Sequence, residues 1–515
     1  MARGYLPVDR DQQFLLPPDM KAWLPAEHLV WFVLDVVARV DTSVLHARHP
    51  KGGVGRRAYD PDMLLALLVY SYCMGQRSSR QIERLCEVDV AYRVVCANSG
   101  PDHTTIARFR QVHADEAVRL FTDVLMLCAE CGLVKLGVIA IDGTKIAAAA
   151  SLKANRTRAR IEAEVSRLLA DAAATDAGED DLFGDGRGDE LPVGVTDPRS
   201  RRAHLDAAVA ELDRARKVRE AAERAARDVQ IARLEAEART GKRPSSRPVH
   251  GTEVAVAGMA LELARDRSLE RYERMRAAAA ERTGQARGRP PQPMNYTVRL
   301  AEKRLERARE IEACREAEAE VEEQKTRVNT TDPQSRIMHT AKGWVQGFNA
   351  QAAANETGIV IAVDVTQQAN DSLQCQPMIA ATLASLDAAR ICEPIGVLLF
   401  DAGYISDDNL NAPGPDRLIA TGRSHTLRAS DPTHGPAPDG IDATAAMEHR
   451  LRTPEGAALY SKRQHTIEPV FATIKDTRGY RRFSRRGLDA VKAEWLLIAA
   501  THNIVKAFNH RQRPA

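Results

Sequence analysis

Two short apolar runs, each closed by an aspartate, constrain this chain more than any other feature of it. In Gly137-Val-Ile-Ala-Ile-Asp-Gly-Thr-Lys145 the residues Val138 to Ile141 are apolar without polar alternation, the pattern of a strand buried on both faces. Asp142 and Gly143 follow, so the chain is expected to turn where this strand leaves the core, at the end where ligands collect in open α/β sheets. A single aspartate there is most simply read as bonding its own turn. The pattern recurs, however, in Ile395-Gly-Val-Leu-Leu-Phe-Asp401, followed by Ala402, Gly403 and Tyr404. Adjacent strands lie about 4.7 to 4.9 Å apart, so two such neighbours bring both carboxylates to one divalent cation. Magnesium suits the arrangement, because it keeps several waters and takes only one or two protein carboxylates.

At 515 residues the chain has room for more than one domain and at least one full core. Its formal net charge is only +3, so any contact with nucleic acid must rest on local basic patches. No apolar stretch approaches the roughly 20 residues of a membrane span, and the N-terminus lacks the plan of a signal peptide. A cytoplasmic location is therefore expected, and the eight scattered cysteines fit a reducing compartment. Cys128 and Cys131 lie in an apolar helical run with no second pair nearby, which favours packing over zinc.

Residues 1–131 read as helical. Apolar runs at 26–39 and 61–74 are followed by the capping signal Ser78-Ser79-Arg80-Gln81. Thr104 to Arg110, after the breaker Ser99-Gly100-Pro101-Asp102, carries Arg108 and Arg110 on a short amphipathic segment. It is either a recognition helix lying against DNA or part of a plain bundle with solvated arginines. From Ser151 to about Arg327 Ala, Arg and Glu dominate, with helical tracts near 202–239, 252–283 and 297–327. Leu205, Val209 and Leu212, and Val298, Ala301, Leu305 and Ala308, form narrow stripes at coiled-coil spacing, so long antiparallel arms are expected. The acidic segment Gly178 to Glu190 and the stretches 241–251 and 284–294 read as mobile linkers.

Sheet character returns after Asp332-Pro333. Trp344 to Gln351 alternates, Ile359 to Val365 is a buried-type run, Leu373 to Arg390 is helical, and Leu418 to Ala420 follows the strand that ends in Asp401. With the helical insert set aside, the order is three strands, a helix and a fourth strand, with acids closing strands one and four. That is the order of a ribonuclease-H-like core, in which strands one and four are parallel neighbours. A third acid is offered by His465-Thr-Ile-Glu-Pro-Val-Phe-Ala-Thr-Ile-Lys475. Ile467, Val470, Phe471 and Ile474 mark a buried face with Glu468 at its border, and Pro469 requires the helix to start or bend at Glu468. Lys475 lies two turns on, on nearly the same face, placed to hold a phosphate. Taken alone, this Glu and Lys are read most simply as a solvated pair.

Together these segments resemble bacterial insertion-sequence transposases with an Asp, Asp, Glu triad, closest to insertion-sequence family 1182. The resemblance rests on Tyr59-Asp-Pro-Asp-Met-Leu64, Gly75-Gln-Arg-Ser-Ser-Arg80, Pro101 to Arg110, Asp142-Gly-Thr-Lys145, Asp332-Pro-Gln-Ser-Arg-Ile-Met338, Gly347-Phe-Asn-Ala-Gln351, Asp401-Ala-Gly-Tyr404, Ile467-Glu-Pro-Val-Phe471 and Ala493-Glu-Trp495. It implies Asp142, Asp401 and Glu468 as catalytic metal ligands. Glu468 and Lys475 keep the spacing of the related Tyr, Arg, Glu, Lys signature, whereas Tyr460 and Arg463 stand one residue too far from Glu468 and receive no role. The implied fold is an α/β ribonuclease-H-like catalytic core (132–151 and 331–515), with an all-α N-terminal DNA-binding domain (1–131) and a long coiled-coil-like helical insertion (152–330) between the first and second core strands.

The implied chemistry is cleavage of element ends and strand transfer by two Mg2+ ions, with Mn2+ as a substitute. No nucleotide is expected, since Gly241-Lys242 is followed by Arg243 rather than the Ser or Thr of a phosphate loop. The partner is double-stranded DNA, bound by a homodimer or higher assembly. Residues 461–515 contain 12 Lys or Arg against 4 Asp or Glu, a local balance of +8. Arg478, Arg481, Arg482, Arg485 and Arg486 in that stretch are, with Lys475, the expected DNA contacts. Two other functions fit the same residues: a metal-dependent nuclease that cuts without joining, and a catalytically silent DNA-binding protein.

Overall fold

The computed structural model describes residues 19–47, 58–167, 198–239, 252–283, 296–340, 343–422 and 431–512. The chain divides into two compact units, Met1–Lys153 with Gln334–Ala515, and Ala154–Pro333. The first unit is built on a mixed sheet. Strand β1 (Val138–Ala147) and, after the short pair β2 (Asn155–Thr157) and β3 (Arg327–Asn329) of the second unit, strands β4 (Arg336–Thr340), β5 (Gly343–Asn355), β6 (Val360–Thr366), β7 (Val397–Phe400) and β8 (Arg417–Ile419) follow in chain order. The sheet runs β4-β5-β1-β7-β8, with β6 also paired to β5. β5 is antiparallel to β1, β4 and β6, while β7 is parallel to both β1 and β8. The parallel pairing aligns Val138 with Val397 and Ile141 with Phe400, so the aspartates that follow both rows emerge side by side.

One expectation fails here. The chain does not turn at Gly143: β1 continues to Ala147, with Gly143 opposite Gln351 and Lys145 opposite Asn349. The thirteen residues of β5 offer backbone partners along the whole of β1, so nothing ends the strand at its first polar residue. Asp142 is a mid-strand residue.

The N-terminal helices share one hydrophobic core with this sheet. Asp60 caps the Pro61–Cys73 helix through the Asp62 and Met63 amides, with proline in the first turn where its missing N–H costs nothing. That helix is buried on nearly every side from Leu64 to Cys73. It packs on the C-terminal helix Leu488–Arg511, which also contacts β6 and the Glu116–Glu130 helix. Trp495, fully buried, donates its indole N–H to the Gln351 carbonyl at 2.9 Å and so ties the C-terminal helix to β5. Cys128 is buried and all eight cysteines are free thiols.

In the second unit the helices Pro198–Arg239, Glu253–Thr283 and Tyr296–Lys325 dominate. The last two are antiparallel, since Arg265 pairs with Glu302 and Arg315 with Glu253. The expected stripes are packed, but around small clusters: Leu205 with Ile161, Ala208 and Val328, and Val298 and Ala301 with Leu261. The linkers expected at 178–190, 241–251 and 284–294 lie outside the described residues. No described helix is long and apolar enough to cross a membrane.

Candidate active site

Asp142 and Asp401 project from the two central parallel strands and share one cation. The Arg463 guanidinium donates to Asp142 Oδ2 at 2.7 Å and stands 3.9 Å from Asp401 Oδ2. The Asp142 side chain is only 16% exposed. Burial pushes its carboxyl up to about 7; Arg463 opposes the rise and Asp401 adds to it, and burial wins. Asp401 is also raised by burial against the pull of Arg463, although its side chain keeps 37% of its surface. Its Oδ1 accepts from the Gly403 amide at 2.9 Å, which fixes the turn after β7. Burial works against the charge of Arg463, but Asp142, Tyr460, Asp401 and Glu468 together hold it above its ordinary value.

Arg463 stands on the Pro454–Thr466 helix and Glu468 on the separate segment Glu468–Ala472, with the break at Ile467. Pro469 falls in the first turn after the break, as the sequence requires. The break explains why an arginine one residue out of register still reaches the site: the two residues do not belong to one continuous helix. Glu468 is exposed and acts on Arg463 through its charge. The three carboxylates have not converged; among the described residues, the three-residue group whose ligand atoms lie within 4.8 Å of one another is His46, Asp60 and Asp62, on the helical side of the unit. A second irregularity follows at once, a π-turn over Thr473–Thr477, a feature often found at functional sites. It carries Lys475, whose ammonium donates to the Thr144 hydroxyl and to the Lys145 carbonyl at 3.2 Å. Burial lowers the Lys475 pKa.

Sequence reasoning missed a fourth acid. Asp371, in the loop after β6, pairs with Lys145 at 3.2 Å and accepts from Asn349 and Gln351 at 2.6 and 2.7 Å. The Tyr404 hydroxyl donates to Gln351 Oε1. A signal was present in the alternating polar positions of the otherwise buried β5, since Asn349 and Gln351 are fully buried amides.

The basic segment divides. Arg478 is buried and donates to the Tyr72 carbonyl at 2.6 Å, the Thr501 hydroxyl at 2.5 Å and the Ile498 carbonyl at 3.3 Å, so it braces the core. Arg481, Arg482 and Arg486 are exposed and Arg485 is half-buried. Backbone bonds from Ala147 to Arg481 and from Phe483 to Ala147 hold this segment at the end of β1. Buried Glu494 shapes the loop by accepting from the Ser484 amide and hydroxyl and the Arg485 amide at 2.6 to 3.1 Å. On the Asp102-capped His103–Val112 helix, Arg108 is exposed, while Arg110 donates to the Arg77 carbonyl at 2.7 Å.

Residues 18–112 match the family model of a transposase domain (DUF772), and residues 433–508 match that of a transposase DDE domain. No match was found among curated proteins or among solved structures. The two matches support a DDE transposase. The second implies a ribonuclease-H-like core, with which the mixed sheet agrees, and dependence on a divalent metal, usually Mg2+. It takes in Arg463, Glu468 and Lys475; Asp142 and Asp401 lie outside both matched segments.

Proposed function

We propose that this chain is a DNA transposase of the insertion-sequence 1182 kind, which cleaves element ends and transfers them to target DNA by metal-dependent displacement at phosphorus. The observation that carries this reading is the parallel β1–β7 pair, which brings Asp142 and Asp401 within reach of a single guanidinium. Their carboxylate oxygens fit Mg2+, a hard cation that takes oxygen ligands and keeps its waters. Asp142, Asp401 and Glu468 would hold it, and when bound it supplies charge stabilisation at phosphorus and an activated oxygen nucleophile, two ions sharing these tasks. Manganese substitutes.

The chain's own groups do the rest. Asp142 and Asp401 present a fixed pair of carboxylates. Glu468 completes the set by movement of the segment after Ile467, and Arg463, relieved of Asp142, takes a phosphate oxygen. Lys475, Arg481, Arg482, Arg485 and Arg486 hold the DNA backbone, and Arg108 extends the contact to the helical side. Two element ends cut and joined in concert call for at least a dimer acting on the DNA of the cytoplasm. The helices of the second unit clamp DNA or the partner subunit; deletion of residues 152–327 is expected to abolish end binding or dimerisation in a folded protein.

The test is Mg2+-dependent cleavage and joining of labelled DNA carrying the element's ends, by wild type and Asp401→Ala. Loss of both steps in the variant, with DNA binding retained, supports the proposal. Cleavage without joining in wild type indicates a nuclease. Equal DNA binding by the two proteins with no cleavage by either indicates a silent binding protein.

A further inference from the structure

Residues alternate across a strand, so Gly143 and Lys145 occupy the face of β1 opposite Asp142, where they stand across from Gln351 and Asn349. Asp371 lies on this face. Its Oδ1 takes hydrogen bonds from Asn349 and Gln351, and the Lys145 ammonium sits 3.3 Å from Oδ1 and 3.2 Å from Oδ2. The two charged side chains are 16% and 18% exposed, so the pair is well shielded from water. Gly143 makes the room: a Cβ there would stand 2.5 Å from Asp371 Oδ1 and 2.9 Å from Asn349 Oδ1. The same carboxylate reaches the turn after β7. A Cβ on Gly403 would lie 3.7 Å from Asp371 Oδ2 and 3.0 Å from Asp401 Oδ1. Asp371 and Asp401 therefore flank one glycine, and Tyr404 of that same turn holds Gln351 through its hydroxyl.

We propose that Asp371 is a positioning residue for the metal site: it holds the Lys145 ammonium on the far face of β1 and neutralises it, leaving the charge of Asp142 and Asp401 for a divalent cation. The inference rests on the reading of those two aspartates as metal ligands. A lysine ammonium is a compact charge on a flexible four-carbon stem. Without Asp371, the carboxylate of Asp401, which flanks the same glycine, is the neighbouring acid it can turn to, and an ammonium there competes with the ion. The Asn349 and Gln351 amides keep Asp371 oriented, and the Tyr404 hydroxyl fixes which end of Gln351 faces it.

The test is Mn2+ binding by the full chain, read from the paramagnetic resonance of free Mn2+, with thermal unfolding recorded for every variant. Asp371→Asn is expected to bind about 10- to 100-fold more weakly, the usual cost of losing an outer-shell partner. Lys145→Gln is expected to bind at least as tightly as wild type. The double variant is expected to return to within about threefold of wild type; where the single variants keep the wild-type unfolding midpoint, this is a coupling that a merely structural role of Asp371 does not produce. The proposal is overturned if Lys145→Gln alone weakens binding about tenfold, or if the double variant stays as weak as Asp371→Asn. Should Asp371→Asn fail to fold, the single lysine variant decides by the same criterion. Asp401→Asn separates this inference from the reading beneath it. Unchanged Mn2+ binding in Asp401→Asn overturns both. Lost binding there with unchanged binding in Asp371→Asn overturns the positioning role alone.

Discussion

The end of the sheet and the helical segment against it hold their acids in opposite ways. Asp142 is fixed within the β1–β5 ladder and by a close guanidinium, and Asp401, just past the last row of the β1–β7 ladder, is held in its turn by the Gly403 amide. Glu468 stands on a five-residue piece of helix between a break at Ile467 and a π-turn at Thr473–Thr477, exposed and still outside the pair's reach. Ladder hydrogen bonds make the first arrangement costly to move. The second already contains its own hinges. On the proposed function, the rigid half receives the ion and the adaptable half closes on it.

The strongest way to break this contrast is substitution of the acids themselves. Asp142→Asn is expected to lower DNA cleavage by roughly a thousandfold or more and Glu468→Gln by about a hundredfold, the range found when single transition-state stabilisers are removed. Conservative changes sharpen it. Glu468→Asp is expected to keep measurable activity because its segment adjusts, whereas Asp142→Glu, anchored mid-strand, is expected to keep none. Equal tolerance at the two positions would remove the distinction between rigid and adaptable halves.

Next in size is the division within the arginine segment. Arg478→Ala empties a buried position that satisfies three acceptors, and is expected to destabilise the fold by about 2 to 4 kcal/mol in chemical denaturation. Arg482→Ala and Arg486→Ala are expected to leave stability within about 0.5 kcal/mol. Each should flatten the salt dependence of DNA binding by about one unit of slope.

Gly143→Ala pushes a methyl group towards Asp371 and Asn349. It is expected to cost about 1 kcal/mol of stability by thermal unfolding and to weaken Mn2+ binding as well.

A separate effect is in pH. The Asp142 carboxyl titrates near 7 in the fold and near 3.8 when unfolded, so between these values the folded protein holds a proton that the unfolded chain lacks. Its stability therefore falls as pH rises through that window. Asp142→Asn removes the penalty: its melting temperature relative to wild type should be higher at pH 8 than at pH 5. A constant difference would place the Asp142 pKa at its ordinary value.

Much of this site was legible because apolar runs report burial directly. The runs ending in Asp142 and Asp401 became central parallel strands, and Pro469 forced the break beside Glu468. What escaped depended on partners distant in sequence. Whether β1 stopped at Gly143 was decided by the length of β5. Asp371 sits in a polar Asn-Asp-Ser loop without periodicity, and its importance appears only when Lys145, Asn349 and Gln351 meet it across the sheet. Arg463 stood one residue out of register because spacing along one helix was assumed where two segments exist. Arg478 looked like its exposed neighbours because composition counts charges without showing which way they point. Nothing in the stripes of the N-terminal helices shows that the C-terminal helix packs both on them and on the sheet.

The most direct test of the account is Mn2+ binding by the free protein, compared between wild type, Asp142→Asn and Glu468→Gln. The account predicts binding that Asp142→Asn abolishes and Glu468→Gln weakens without abolishing, because the rigid half receives the ion first. Binding that survives intact in Asp142→Asn would contradict it.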